Sequence, residues 1–246
     1  MQVFVIDVKK ILNEGIFLKT TGSTGIAKTI FQNPKKISSG NAVARKVQKI
    51  NASSKILTVC SLQHAGGLLA QTLPGLEVGA YVEILPFNAF KWAEQIKKFT
   101  HTHLTPQHIE LLRKTKSWGR LDLSHLRITC GSDIVTPTMI RESLAQGAVF
   151  TVNWGMTEVG PCAINRTFYP GDLIPCYQDY FFIGSEIHCE YKFVDSCLIV
   201  KGDICVYDDW FNTGDVVVFK DGNFFFGGRK QTNDLSDRRS LLNERS

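Results

Sequence analysis

From residue 16 to residue 154 the chain repeats one pattern. A short apolar run rich in β-branched residues is followed by a stretch whose apolar residues recur at helical spacing. The strand-like runs are 16–20 (IFLKT), 56–61 (ILTVCS), 78–84 (VGAYVEI), 126–130 (LRITC) and 148–154 (AVFTVNW). Between them, residues 40–50, 66–72, 89–99 and 106–114 read as helices, and another runs from Thr136-Pro137 through Gln146. Thr105-Pro106 and Thr136-Pro137 each supply an N-cap hydroxyl followed by a proline whose missing N–H costs nothing in the first turn. Repeated β-then-α units predict an α/β layer, a mostly parallel sheet with flanking helices. After Pro170 the helical spacing stops. Short β-rich runs separated by Gly, Asp and Asn take over, and Asp221-Gly222 tolerates the positive φ of a tight hairpin. The expected organisation is an α/β core over 1–170, a small antiparallel β subdomain over 171–229 and a polar tail over 230–246.

Composition excludes several classes. With 43% hydrophobic and 21% charged residues in 246, the chain is neither disordered, collagen-like nor a coiled coil. Its seven cysteines form no Cys-x-x-Cys pair, which argues against a zinc ribbon and for reduced, mostly buried thiols in the cytoplasm. No apolar run approaches the roughly 18–20 residues of a membrane span. The start, MQVFVIDVKK, carries Asp7 within its apolar stretch and has no small-residue cleavage site, so no signal peptide is expected. Charge is uneven. Between Gly15 and Leu76 there are eight Lys or Arg and no acid, whereas between Cys176 and Phe219 eight acids face Lys192 and Lys201. The basic part suits phosphate, or is a solvated helix face. It carries no RNP, zinc-finger or helix-turn-helix signature, so nucleic acid is not expected as a partner.

The densest local signal is Thr20-Thr21-Gly22-Ser23-Thr24-Gly25-Ile26-Ala27-Lys28-Thr29, directly after a strand. Glycines let backbone N–H groups approach an anion, hydroxyls donate to phosphate oxygens, and Lys28 adds charge. The Walker pattern GxxxxGK[ST] nearly fits, but Ala27 stands where its second Gly belongs. A Walker loop also opens a helix at once, and Phe31-Gln32-Asn33-Pro34 follows here. The plainer alternative is a Ser/Thr/Gly turn with a solvated lysine.

Four further segments occur downstream: Leu126-Arg127-Ile128-Thr129-Cys130-Gly131-Ser132, Asn153-Trp154-Gly155-Met156-Thr157-Glu158, Thr213-Gly214-Asp215, and Asp221-Gly222-Asn223-Phe224 followed by Gly227-Gly228-Arg229. With the loop, these five resemble, in order and spacing, the motifs of the adenylate-forming, AMP-binding superfamily of acyl-CoA synthetases, luciferases and peptide-synthetase adenylation domains. The resemblance implies an acyl-adenylate-forming ligase core that binds ATP, Mg²⁺ and a carboxylic acid, with coenzyme A a candidate acceptor. Thr20, Thr21, Gly22, Ser23, Thr24, Gly25 and Lys28 would embrace the β- and γ-phosphates. Trp154 and Gly155 would pack on adenine, Thr157 would contact the α-phosphate, and Glu158 would hold the metal. Asp215 and Arg229 would take the ribose, and Gly131 and Ser132 would border the adenine and acyl pockets. His64, with Gly131, Trp154 and Gly155, would face the acid. Lys28, Thr157 and Glu158 are the residues implied in catalysis.

Bland alternatives stand beside each: a core aromatic for Trp154, an ion pair with Arg166 for Glu158, a turn residue for Asp215, a structural imidazole for His64. His101 and His103 share a face if 100–104 is extended, but no third metal ligand is evident. Members of the family are considerably longer. The family's N-terminal portion and its C-terminal domain, with hinge and catalytic lysine, have no counterpart in the sequence. A separate chain is the expected source of that domain. The other reading is a non-catalytic AMP-, ATP- or acyl-binding relative acting as a regulatory or interaction module.

Overall fold

A computed structural model describes residues 6–20 and 28–230. Helix α1 (Val8–Glu14) leads into β1 (Ile16–Lys19), which pairs antiparallel with β2 (Thr29–Gln32). Beyond that ladder the Thr20 N–H donates to the Lys28 carbonyl at 2.8 Å and the Lys28 N–H donates to Thr20 Oγ1 at 3.0 Å, closing the chain on either side of residues 21–27. The chain after Lys28 therefore enters a strand, not the helix a Walker loop requires.

Helix α2 (Pro34–Gln48) begins six residues before the start expected from sequence. Asn33 is extended and its side chain accepts from the Lys36 N–H, with Pro34 at the first helical position. The proline that ends the strand thus starts the helix.

Five parallel strands form most of a seven-stranded sheet of order β10-β8-β7-β6-β5-β3-β4. They are β3 (Lys55–Thr58), β4 (Tyr81–Ile84), β5 (His101–Leu104), β6 (Arg127–Gly131) and β7 (Val149–Met156). Antiparallel β8 (Gly160–Phe168) and the two-residue β10 (Glu186–Ile187) complete one edge. On one face Leu57, Leu104, Ile128, Phe150 and Val152 pack beneath α5 (Ala89–Gln95), α6 (Pro106–Arg113) and α7 (Pro137–Ala145). The opposite face meets α2 and a broken helix made of α3 (Ala65–Gly67), a π-helical turn (Leu68–Thr72) and α4 (Leu73–Glu77). That contact is polar. Gln48 donates to the Ala70 carbonyl, accepts from Gln71 and from the Thr129 hydroxyl, and offers its own carbonyl to His101 Nε2. Each central strand is covered on both sides, which is why these segments read as near-continuous apolar runs.

The second sheet is antiparallel, of order β11-β12-β13-β14-β9. Its strands are β9 (Phe181–Gly184), β11 (Glu190–Val194), β12 (Cys197–Lys201), β13 (Phe211–Lys220) and β14 (Asn223–Arg229). Asp221 and Gly222 join the last two at φ 50° and 76°, as expected for this hairpin. Leu198, Val200, Val217 and Phe224 share a core with Ala163 and Ile164 of β8, so the two sheets bury one another. The 171–229 segment returns to the larger sheet once, through β10. The fold is an α/β layer followed by an antiparallel sheet, as the alternation predicts. Among the described residues no helix is long and apolar enough to cross a membrane. All seven cysteines are free thiols, four of them buried.

Candidate functional site

A cavity of about 900 Å³ opens at the carboxyl ends of the parallel strands and is walled on its far side by β9, β13 and β14. This is the crevice in which open α/β sheets bind ligands. Of the residues singled out from sequence, Thr20, Lys28, His64, Ser132, Trp154, Gly155, Thr157, Glu158, Asp215 and Arg229 all line it. Gly131 ends β6 immediately before Ser132. Thr21, Gly22, Ser23, Thr24 and Gly25 lie outside the described residues.

The clearest geometry joins the two sheets. Asp215, 2% exposed, accepts from Trp154 Nε1 at 2.9 Å through one carboxylate oxygen and from Arg229 Nε at 2.6 Å through the other. Asp215 and Arg229 are cross-strand partners in the β13–β14 ladder. Local chemistry sets the carboxylate there. The buried Thr213 hydroxyl donates to the Leu198 carbonyl and accepts from the Asp215 N–H. Gly214, at φ 74°, takes a conformation few other residues tolerate, and its N–H donates to Asn212 Oδ1. Each oxygen of Asp215 keeps a second lone pair for a ligand hydroxyl. Trp154 is half-buried and held edge-on by its N–H, which fixes the plane of a stacking surface.

Thr157 and Glu158 form the turn between β7 and β8. Glu158 is buried and its carbonyl accepts from the Val206 N–H. The ion pair with Arg166 is not formed. Arg166 lies over the Phe168 ring at 5.0 Å and donates to Asn223. Gly155 permits this hairpin, because a Cβ there would run into the backbone of Gly160 and Pro161. Neighbouring Asn153 donates to the Pro161 carbonyl, leaving its buried Oδ1 as an acceptor without a partner among the described residues. That is a fit for an exocyclic amine. For the metal, no cluster of three or more His, Cys, Asp or Glu exists among the described residues. One buried carboxylate, Glu158, is a hard oxygen donor of the kind Mg²⁺ takes alongside waters.

His64 donates from Nδ1 to the Lys19 carbonyl at 3.0 Å, while the Lys19 N–H donates to the Gln63 carbonyl at 3.0 Å. The imidazole therefore ties the loop end of the β1–β2 hairpin to the start of α3. Ser132 stands at φ 74°, an uncommon conformation for a side-chain-bearing residue.

Sequence reasoning missed Lys36. It belongs to the basic stretch, yet it is 2% exposed. Its Nζ donates to the Thr157 carbonyl at 2.7 Å and to Gln32 Oε1, and Gln32 Nε2 donates to the same carbonyl at 3.1 Å. Burial pushes its ammonium down to about 7, against the opposing pull of Cys205 and Glu158. Nothing in the sequence distinguishes it from Lys35, which pairs with Asp203 on the surface. Arg45 is likewise engaged, with Glu77. The basic stretch is thus partly spent on internal contacts rather than presented to phosphate.

His101 and His103 do share one face of β5, and each is hydrogen-bonded within the protein. His101 bonds Thr100 and the Gln48 carbonyl, and His103 donates from Nδ1 to the Gly66 carbonyl at 2.7 Å.

The model of the AMP-binding enzyme family matches residues 16–208. An indoleacetate–CoA ligase of Aromatoleum aromaticum is 36% identical over 149 residues, covering 58% of this chain and 29% of that protein. ATP-bound MatB from Rhodopseudomonas palustris superposes with a TM-score of 0.73 at 18% identity, over 87% of this chain and 47% of that one. McyG A-PCP complexed with phenylalanyl-adenylate gives 0.74 at 17% identity, over 94% and 49%. The chain therefore spans under a third of that curated relative and about half of those solved structures. With most of its length matched by one family model, the chain belongs to the AMP-binding enzyme family.

Proposed function

We propose that the chain is the nucleotide- and acid-binding core of an acyl-adenylate-forming ligase. The observation that carries this reading is the convergence on one cavity of Trp154, Thr157 and Glu158 from β7 and the turn after it, of Lys28 from the residue before β2, and of Asp215 and Arg229 from the antiparallel sheet. Trp154 stacks on adenine beside Gly155, and Asp215 with Arg229 takes the ribose hydroxyls. Lys28 and the donors of Thr20, Thr21, Gly22, Ser23, Thr24 and Gly25 hold the β- and γ-phosphates, and Thr157 contacts the α-phosphate. Glu158 holds Mg²⁺, which neutralises phosphate charge when bound. Gly131 and Ser132 separate the nucleotide from the acid, and His64 faces the acid.

A carboxylate oxygen of the substrate attacks the α-phosphorus, and the bond to the β-phosphate oxygen breaks. Acyl-AMP and pyrophosphate result. Such a reaction needs alignment and charge stabilisation more than covalent help from the protein, and a rigid crevice with preset donors supplies both. The likeness to an indoleacetate–CoA ligase favours coenzyme A as the acceptor. The cytoplasm supplies both nucleotide and coenzyme, and a further domain, on this or a separate chain, completes the catalytic cycle.

Equilibrium binding of ATP and AMP, with and without Mg²⁺, tests the reading. Saturable binding that Asp215→Ala abolishes is expected. No binding by the wild-type protein would mean that the motifs are inherited scaffold, and would leave an acyl-binding or interaction module as the reading to pursue.

A further inference from the structure

His103 is 4% exposed and lines the cavity on β5. A carbonyl only accepts, so the Gly66 carbonyl at 2.7 Å places the ring hydrogen on Nδ1. Burial pushes the imidazole down to about 4, aided by the neighbouring His108, so the ring is neutral at pH 7. Nε2 then carries a lone pair and no hydrogen. It is buried and has no partner among the described residues. A buried acceptor left unmet is costly, and a donor on a ligand in the cavity would meet it.

The position fixes which part of a ligand would do so. In the sheet, β5 is two strands from β7, which carries Trp154, or about 10 Å at strand spacing. The nucleotide end belongs to β7 and β13, and His103 belongs to the other end. Gly66 keeps that end open. A Cβ there would lie 3.0 Å from Ser132 Oγ and 3.3 Å from His103 Cε1, the carbon bonded to Nε2. Two other polar side chains near His103, Cys60 and His108, are engaged. Burial pushes the Cys60 thiol up to about 12, and it donates to the His103 carbonyl. His108 accepts from the Thr105 N–H and stacks on Phe87 at 4.2 Å. Val59, Ile134 and Val135 add apolar wall.

We infer that this end of the cavity selects carboxylic acids whose acyl group carries a hydrogen-bond donor, an N–H or O–H, which donates to His103 Nε2. The inference rests on the acid-binding half of the proposed function. His103 makes this contact as a neutral acceptor and takes no part in bond making.

Pairs of acids matched in shape test it: indole-3-acetate against 1-benzofuran-3-acetate, and 4-hydroxyphenylacetate against 4-fluorophenylacetate. Binding is measured calorimetrically to the full chain with saturating AMP. The donor-bearing member of at least one pair should bind ten- to a hundredfold tighter, because its partner leaves a buried acceptor unmet. In His103→Phe the two members should bind within twofold of each other. Equal binding within both pairs in the wild type, no binding by any of the four acids, or a preference that survives in His103→Phe overturns the inference. Should that variant not fold, the ¹⁵N resonance of Nε2 in the wild type decides. It should shift on adding the donor-bearing acid and not on adding its isostere, and a shift with neither overturns the inference. AMP binding in the same titrations reads the nucleotide site separately. AMP bound without acid discrimination defeats only this inference. Acid discrimination without AMP binding defeats only the nucleotide assignment.

Discussion

Asp215 shows how much one residue of this site depends on its neighbours. Its carboxylate is fixed by the Trp154 and Arg229 donors and its backbone by the Thr213 hydroxyl, so the Thr-Gly-Asp triplet is a single local device. The sequence marked all of these positions through their motifs but not the reason for each. Gly155 is the clearest instance. It was legible as part of Trp154-Gly155-Met156-Thr157-Glu158, yet the cause is the backbone of Gly160 and Pro161 across a hairpin. Gly155→Ala should cost about 1–3 kcal/mol, the range for overpacking a filled site. Gly40, inside α2, has open space where a Cβ would go. Gly40→Ala should stabilise by about 0.5–1 kcal/mol through helix propensity. Urea unfolding of the two variants checks both signs, and equal midpoints would refute the packing argument.

At the scale of elements, the central strands are legible as apolar runs covered on both faces, and α5, α6 and α7 through an apolar face and their caps. Helix α2 was not read correctly at its start, since Asn33-Pro34 signals a strand end and a helix cap at once. Nor was the role of α2 readable, because a buried lysine looks like any other lysine until the fold places it. Lys36 anchors the Thr157 carbonyl from this helix. Its folded pKa, about 7, lies below the 10.5 of an unconstrained lysine, so the unfolded chain binds more protons between those values. Stability must then rise with pH across that window and be fully penalised below pH 7. Relative to Lys36→Met, the wild type should gain on the order of 2 kcal/mol between pH 7 and pH 9. Chemical denaturation of both proteins at the two pH values measures this difference. A wild-type advantage independent of pH would show that Lys36 is charged in the folded state throughout.

At the scale of the whole molecule, the site is a seam. Trp154 belongs to the parallel sheet and Asp215 to the antiparallel one, 61 positions apart in sequence and joined by one hydrogen bond. No local pattern announces that meeting, because strand order and sheet packing arise from long-range burial. Only the ordered set of motifs hinted that these residues share a cavity. A ligand filling this seam touches both sheets, so its binding energy should appear as stability of the entire fold. At about a hundredfold excess over its Kd, a ligand that binds only the folded state adds about 2.7 kcal/mol. For a chain of this size that corresponds to a rise in Tm on the order of 5–10 °C. AMP should produce such a rise, in one cooperative transition, in the wild type and in Gly40→Ala. Asp215→Ala should lose the AMP-dependent rise while still melting cooperatively. Differential scanning calorimetry reads both. An AMP-dependent rise confined to one of two resolved transitions would mean that the nucleotide contacts a single sheet, and that the seam is not where it binds.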